Sequence, residues 1–477
     1  MSRRSRESKG WLSGAVNGLR RFAFGYDAVD DTKKRRKATR STIFSEDDEL
    51  PAYKRRKVSS SARDLHRNFS VAGWSIRKHL DYVSTFNFQC RTEDLAFNKR
   101  LEKLFAWWAL PQNCDIAGRH SLERFVRIAE QSRTIDGDCL VMMLQGGQLQ
   151  GIESDRIASP GGATTSNNKD NVSGVKVNEY GRATAFCVNR RVAGTAGLVF
   201  DQWCPAEYGH LLGYFDRFDQ VRGVTRMTAA INAYQDLYEG ISYAIAKAKV
   251  GQLFGLITYR EDSSPLGEYT ENAGGDYNIS FGGGPFHLDL NPGDKADTLE
   301  SKTPSVEFQA FVQSMIAMAL KALDIPFSFY DESFTNYSGA RQALLMYNQS
   351  VAAKRGELVE MLDRITSWKI AQWVAAGLIS LPDGMRVTEL PWEWIPVGMP
   401  WIDPMKEASA DALTIKSGTR SRQRICKARG EDFFEITDEL AAEKKYLEAR
   451  GLSSDPEQVS DAAATAMMQE EPSAKRA

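Results

Sequence analysis

The pattern of apolar and polar positions changes character several times along the chain. From about residue 61, Leu65, Val71, Trp74, Ile76 and Leu80 fall at helical period and predict a helix over 62–83. A second helical stretch over 98–132 carries Trp107, Trp108, Phe125 and Ile128. Short apolar bursts at 139–144, 148–152, 174–177, 184–188 and 198–202 predict strands, with an exposed loop around Ser159-Pro160-Gly161-Gly162 and 164–170. Residues 61–220 thus read as mixed α+β with short antiparallel pieces.

Helices dominate the second half of the chain. Residues 224–250 hold no Pro, and Ile231, Tyr234, Tyr238, Ile241, Ile245 and Ala248 recur at helical spacing. Such a helix would be ~40 Å long. Gly, Pro, Asp and Asn dominate 251–303, where bursts such as Leu256-Ile257-Thr258-Tyr259 predict strands. Helix returns over 305–323, with Phe308, Phe311, Val312, Met315, Ala319 and Leu323 on one side, and stops at Asp324-Ile325-Pro326. A polar aromatic loop, 327–338, leads into one very long helix, 339–376, interrupted only by Gly356. An aromatic, Pro-rich connector at 391–404 contains Trp392, Trp394 and Trp401. A helix over 403–417, a break at Gly418 and a helical pair to about residue 450 come after it. Residues 452–477 are rich in Ser, Ala, Glu and Pro, a composition that predicts disorder.

Charge changes this picture. The whole chain has net charge −1, but residues 1–60 hold 16 Lys/Arg against 8 Asp/Glu, and the other 417 hold 45 against 54. A basic arm is joined to an acidic body, which points to nucleic acid or an acidic partner. Lys33-Lys34-Arg35-Arg36-Lys37 and Lys54-Arg55-Arg56-Lys57 are the arm's two charge runs. A solvated tail and a phosphate or acidic-partner contact both fit them.

The chemistry-bearing residues form no constellation. Six cysteines (Cys90, Cys114, Cys139, Cys187, Cys204, Cys426) make no C-x-x-C pair and read as reduced, mostly buried thiols. Five histidines are scattered, never at i, i+4. No Walker A, G-x-S-x-G, H-E-x-x-H or kinase signature occurs, and Gly282-Gly283-Gly284-Pro285 lacks the Lys of a phosphate-cradling loop. Asp403 and Glu407 share a helix face and read as capping or solvated residues; Asp136 and Asp138 flank Gly137 in a turn. No enzyme, metal or cofactor is expected. No secretory signal is visible, and the most apolar window, 311–327, is interrupted by Gln313, Lys321 and Asp324, so no membrane span is expected.

Several segments, in order, resemble the lambda-type family of tailed-bacteriophage portal proteins. They are Arg63-Asp64-Leu65 with Arg67-Asn68; Leu149-Gln150 to Asp155-Arg156-Ile157; Gly174-Val175 through Gly181-Arg182-Ala183-Thr184-Ala185-Phe186; and Gln220-Val221-Arg222-Gly223-Val224. Tyr238-Glu239, Ala246-Lys247, Ile325-Pro326, Asn336-Tyr337-Ser338 with Ala340-Arg341, Trp401-Ile402-Asp403-Pro404 with Lys406-Glu407-Ala408, and Ala428-Arg429-Gly430 continue the series. Gly339 departs from the family's usual Ser, and the loop at 159–173 resembles an insertion.

The resemblance implies an α+β, mainly helical portal fold (wing, two stem helices, clip and crown) assembled as a ring. Its divisions would be a basic flexible arm (1–60), wing (61–223), first stem helix (224–250), clip (251–303) and second stem helix (304–326). A channel loop, long helix and rest of the wing (327–400), a helical crown (401–450) and a disordered tail (451–477) would complete it. It further implies a homo-oligomer, usually of twelve subunits, at the unique head vertex of a virion, assembled in the host cytoplasm. Double-stranded DNA would be packaged and ejected through its channel. The implied partners are the terminase packaging motor, head-completion and connector proteins, and the major capsid and scaffold proteins. Lys247, Lys249, Lys321, Asn336, Tyr337 and Arg341 are the channel- or DNA-facing candidates, and Glu261, Asp262, Glu268 and Glu271 the clip candidates for partner docking. The apolar faces around Phe308, Phe311 and Met315 are expected to bury against a neighbouring subunit. The alternatives are a phage DNA-processing enzyme, such as a nuclease or packaging motor subunit, and a nuclear DNA-binding protein suggested by the arm alone.

Overall fold

The computed structural model describes residues 43–160, 170–194, 197–253, 256–260, 294–298, 306–331, 337–382, 384–398 and 403–450. Helices α1 (Glu46–Glu49), α2 (Ala52–Asn68) and α3 (Ser70–Val83) lead to strand β1 (Phe86–Cys90). Then come α4 (Leu95–Trp108), α5 (Pro111–Cys114) and α6 (Leu122–Asp136). Strands β2 (Asp138–Met143), β3 (Leu149–Glu153), β4 (Asn171–Val172), β5 (Val175–Val177), β6 (Ala183–Arg191), β7 (Leu198–Pro205) and β8 (Gly209–Gly213) form the β-rich part. Helix α7 (Thr228–Leu253), strands β9 (Leu256–Arg260) and β10 (Asp294–Thr298), and α8 (Val306–Leu320) come next. Helix α9 (Tyr337–Ala375), strand β11 (Trp392–Pro396), and helices α10 (Pro404–Lys416), α11 (Arg422–Arg429) and α12 (Phe433–Glu448) complete the order.

The single helix expected over 62–83 is two helices, and the first begins at Ala52, inside the stretch read as a flexible arm. This corrects the boundary at residue 60. The second charge run lies on α2, where Lys54 and Arg55 are buried. Lys54 Nζ donates to the Glu49 carbonyl at 3.2 Å, and Arg55 donates to the Gly223 carbonyl. Long basic side chains bury their stems when carbonyls receive the charged head. Four like charges in a row therefore said nothing about disorder.

The helical region at 98–132 divides into α4, α5 and α6, because Asp94 and Ser121 cap new N-termini and Pro111 opens α5. Strand β2 is buried along its whole length and is the centre of an antiparallel sheet ordered β3-β2-β8. A second antiparallel sheet has the order β4-β5-β6-β7. Strand β8 was not anticipated: His210-Leu211-Leu212 is a short apolar burst between glycines. The connector at 391–404 contains β11, which pairs antiparallel with β1, itself unanticipated, in the register Phe88↔Trp394. Pro391 and Pro396 frame this strand rather than prevent it, since prolines are tolerated at strand ends and sheet edges.

Helix α9 is a continuous 39 residues, ~58 Å at 1.5 Å per residue. Gly356 does not interrupt it. Tyr347, Val351, Leu358, Leu362 and Ile365 are buried, as their spacing predicts. They join α3, α4 and α6 in the main core. There Phe105 stacks on Phe88 at 4.4 Å between ring centroids and meets Trp108, Trp373 and Trp394 edge-on. A smaller core unites Leu140, Ile152, Phe186 and Val188 between the two sheets.

Among the described residues, one stretch, Val306–Leu323, is long and apolar enough to cross a membrane by length and composition. This corrects the expectation that no such window exists. Met315, Ile316, Ala319, Leu320 and Leu323 of that stretch belong to the main core. All six cysteines are free thiols, and burial drives those of Cys114, Cys139 and Cys187 upward, Cys187 to about 11.

Candidate functional site

Helices α7 and α8 pack side by side, and the way their ends are anchored builds the region carrying most candidate residues. Entry into α7 is fixed by Arg222. Its guanidinium is fully buried and donates to Asp138, to Ser154, and to the carbonyls of Ile157 and Ser173. Gly223 N donates to the same Asp138 carboxylate at 2.9 Å. Burial pushes the Asp138 carboxyl up, but the charge and hydrogen bonds of Arg222 outweigh it and hold it below the ordinary range. Thr225 Oγ1 donates to the Thr134 carbonyl at 2.6 Å and accepts from Met227 N, which starts the helix.

The turn between Asp136 and Asp138 brings three elements together. Gly137 ends α6 at φ +99°, and a Cβ there would lie 2.7 Å from the Gly223 carbonyl oxygen. Asp136 receives Arg63 of α2 through two hydrogen bonds of 2.7 Å. Each aspartate therefore holds a separate segment, and the pair has no shared catalytic geometry.

The exit from α8 is fixed by Asp324, which adopts a left-handed conformation (φ 61°) after a 3-10 turn over Lys321–Leu323. Burial pushes its carboxyl up. Hydrogen bonds from Ser350 (2.6 Å) and Lys354 (2.9 Å) of α9, with the Lys354 charge, reverse that and leave it low. An open cleft of about 710 Å³ lies between this turn and the start of α7, lined by Asp216, Arg226, Asn232, Lys321, Asp324 and Lys354. Two ion pairs, Arg226–Asp216 and Lys354–Asp324, balance most of its charge.

The candidate residues fall into three groups. Lys321 is exposed and lines the cleft just described. Lys247 and Lys249 are exposed near the far end of α7, ~30 Å along the helix from Thr228. Tyr337 opens α9, and Arg341 is half-buried one turn later. Lys321, beside the start of α7, and Lys247 with Lys249, near its far end, are therefore not brought together. Asn336, Glu261, Asp262, Glu268 and Glu271 lie outside the described residues.

Burial along α7 and α8 is uneven. In α7, Ala230, Ile231, Tyr234 and Leu237 are buried, whereas beyond Leu237 no described side chain is. In α8 nothing before Met315 is buried. Tyr243 is 69% exposed and Phe311 53%. Phe308 is half-buried, and Met315 is buried within the subunit. Met315 is thereby corrected as a residue awaiting a neighbour: it sits on the half of α8 that packs against the body.

The buried charge network was not legible beforehand. Glu130 of α6 accepts from His79 Nε2 at 2.7 Å, Arg133 Nε at 2.7 Å and the Tyr214 hydroxyl at 3.0 Å. Arg133 also reaches Glu357 on α9 at 2.5 Å. Burial holds His79 below its ordinary range, so a neutral ring donates to the Glu130 carboxylate. Polar residues on an otherwise apolar helix face were the only signal for it. Asp403, by contrast, caps α10 by accepting from Lys406 N, as its position predicts. Among the described residues, no group of three His, Cys, Asp or Glu is placed to hold a metal ion.

A family model described as phage portal protein, lambda family, matches residues 32–355. The chain belongs to the lambda family of phage portal proteins. Curated relatives of this portal protein agree. A probable portal protein of Halomonas phage phiHAP-1 is 24% identical over 74% of this chain and 71% of its own length. Portal protein B of Escherichia phage lambda is 21% identical over 83% and 84%, and the portal protein of Escherichia phage N15 is 20% identical over 85% and 86%. Among solved structures, a chain from the virion of the native gene transfer agent particle has 14% identity and a TM-score of 0.44, covering 79% of this chain and 93% of its own. A chain from the neck of that particle, computed with C12 symmetry, has 13% identity and a TM-score of 0.44, covering 78% and 93%.

Proposed function

We propose that this portal protein forms a closed ring, of about twelve subunits, at one vertex of the head, and that double-stranded DNA enters and leaves through its central channel. In this reading the globular part from Ala52 to 223, with parts of 331–400, is the wing, α7 and α8 are stem helices, 251–303 the clip, and the helices after Asp403 the crown. The loop near 328–338 lies at the channel constriction. The observation that carries the reading is the exposed distal half of the α7–α8 pair. Tyr243, Ile245 and Phe311 are large apolar side chains left 49–69% exposed on a helical pair too thin to bury them itself. A ring closed by rotation gives every copy a neighbour for that surface.

Charge fits a conduit that holds DNA without gripping it. Residues 221–345 hold 9 Lys/Arg against 15 Asp/Glu, and 251–303 hold 3 against 9. An acidic wall repels phosphate, while many Lys/Arg contacts would give tight, steeply salt-dependent binding that resists sliding. Lys247, Lys249, Lys321 and Arg341 then serve as sparse backbone contacts or as intersubunit charges, and Glu261, Asp262, Glu268 and Glu271 as a docking surface. The terminase motor docks during filling, connector proteins afterwards, and capsid and scaffold proteins surround the ring during assembly in the host cytoplasm. The protein has no catalytic step of its own in this reading.

Negative-stain electron microscopy of the purified full chain tests it. Rings with a central hole are expected. A compact monomer, with α7 and α8 amides fully protected from hydrogen exchange, would overturn it.

A further inference from the structure

A cleft of about 640 Å³ opens between β1, α4 and α12. Its floor is apolar, with Phe86, Phe88, Phe105, Leu122 and Trp394. Its rim is acidic: Glu102, Glu123, Glu431, Glu435 and Glu439 all border it. Two cations at this edge are already paired, Arg91 with Asp432 at 2.5 Å and Lys99 of α4 with Asp438 of α12 at 2.7 Å. Glu123, Glu431, Glu435 and Glu439 are exposed and make no ion pair among the described residues. Glu102 is held above the ordinary carboxylate range by burial, with the Asp432 and Glu435 charges adding to it and the Cys90 amide opposing it. An apolar floor inside a rim with four exposed, unpaired glutamates fits a segment that is both basic and aromatic.

The chain contains such a segment outside the described residues. Residues 1–42 carry 12 Lys/Arg against 4 Asp/Glu, and Leu19-Arg20-Arg21-Phe22-Ala23-Phe24 joins two arginines to two phenylalanines. Phe22 is 21 residues before Ile43, the first described residue, so the tether spans up to ~70 Å. We propose that residues 19–24 dock into the cleft between β1, α4 and α12 of their own subunit, phenylalanines on the aromatic floor and arginines against Glu435 and Glu439. The arm's charge is then answered by the body's own acidity, and a docked arm would link the first residues of the chain to its last helices. Such docking leaves fewer basic residues available to phosphate.

Photo-cross-linking tests this in the full-length assembly. A benzophenone amino acid replaces Phe22, and the products are mapped by mass spectrometry in particles assembled from mixed light and heavy isotope-labelled subunits. Products within one label, at 86–105 or 431–439, are expected. Glu435→Lys with Glu439→Lys should lower their yield about tenfold, equivalent to about 1.4 kcal/mol. Both positions are exposed, so folding is retained. Reversals outside the cleft on the same helix, Glu443→Lys with Glu448→Lys, should leave the yield unchanged. Raising salt to 1 M, where the Debye length is about 3 Å, should lower it. Products on other surfaces, on DNA or between labels, or a yield indifferent to the cleft reversals, would overturn the proposal. Ring formation is read separately by microscopy, so failure here leaves the ring reading standing.

Discussion

Arg222 and Asp138, 84 residues apart, meet in a fully buried, two-point ion pair: Nε to Oδ2 at 2.7 Å and Nη2 to Oδ1 at 2.9 Å. The pair joins the lead-in of α7 to the central strand β2. The guanidinium also answers the carbonyls of Ile157, Ser173 and Ser154, so it satisfies backbone from two separate segments, the turn after β3 and the stretch around Ser173.

Breaking this pair should be among the costliest single changes in the chain. Asp138→Asn leaves a buried guanidinium short of its counter-charge, at about 3–5 kcal/mol. Arg222→Met should cost more, because it strips the buried carboxylate of its counter-charge and the Ile157 and Ser173 carbonyls of their guanidinium donor together. Urea unfolding of the two variants checks the order. Equal midpoints would mean the carbonyl bonds contribute nothing beyond the ion pair.

Acid should weaken the fold partly through His210. Burial in β8, helped by the Arg364 and Arg133 charges, pushes its imidazole down to about 4. The unfolded chain takes up that proton near pH 6.5, the folded protein only near 4. Unfolding therefore binds a proton between those values. The His210 contribution is full above about pH 6.5 and is lost as pH falls toward 4, to the extent of roughly 2–3 kcal/mol. His210→Gln should flatten this share of the slope in denaturant midpoints measured from pH 7 to 4.5. An unchanged slope would assign the acid sensitivity to other groups, such as His79.

Assembly and stability should separate along α8. Phe311→Asp, on the exposed half, should leave the subunit's unfolding within about 0.5 kcal/mol of the parent. The same change should shift light-scattering mass from oligomer toward monomer. Met315→Ala, on the buried half, should cost about 2–5 kcal/mol instead. Loss of stability in the first variant, or full assembly, would contradict a neighbour-covered surface.

If the proposed ring holds DNA through sparse basic contacts, its salt dependence should be shallow. Replacing Lys247 and Lys249 with Gln should lower the slope of log affinity against log salt by up to about 0.9 for each DNA phosphate that the change leaves unneutralised. Fluorescence anisotropy with a linear duplex, read across a salt series, checks this. A steeper slope in the variant would reverse the role given to these lysines.

Much of this protein was legible in its residue order. Apolar spacing located α7, α8 and α9 to within a few residues, because long helices repeat the same signal many times. The ordered motifs from Arg63 to Gly430 identified the family. Local chemistry also sufficed where the effect is local, as at the Asp403 cap and the Gly137 turn. Tertiary structure alone decided which charges are buried and with whom. Lys54 and Arg55 looked like a solvated arm until the Glu49 and Gly223 carbonyls were seen to receive them. Strand β1 found its partner more than 300 residues away in β11, where prolines suggested a connector. Arg222 became an anchor only through the first residue of strand β2, the turn after β3 and the segment around Ser173. The net charge of −1 comes from composition, whereas ion pairing and burial are properties of positions brought together by the fold. A charge costs little in water and several kcal/mol inside, so its meaning depends on neighbours that residue order does not place.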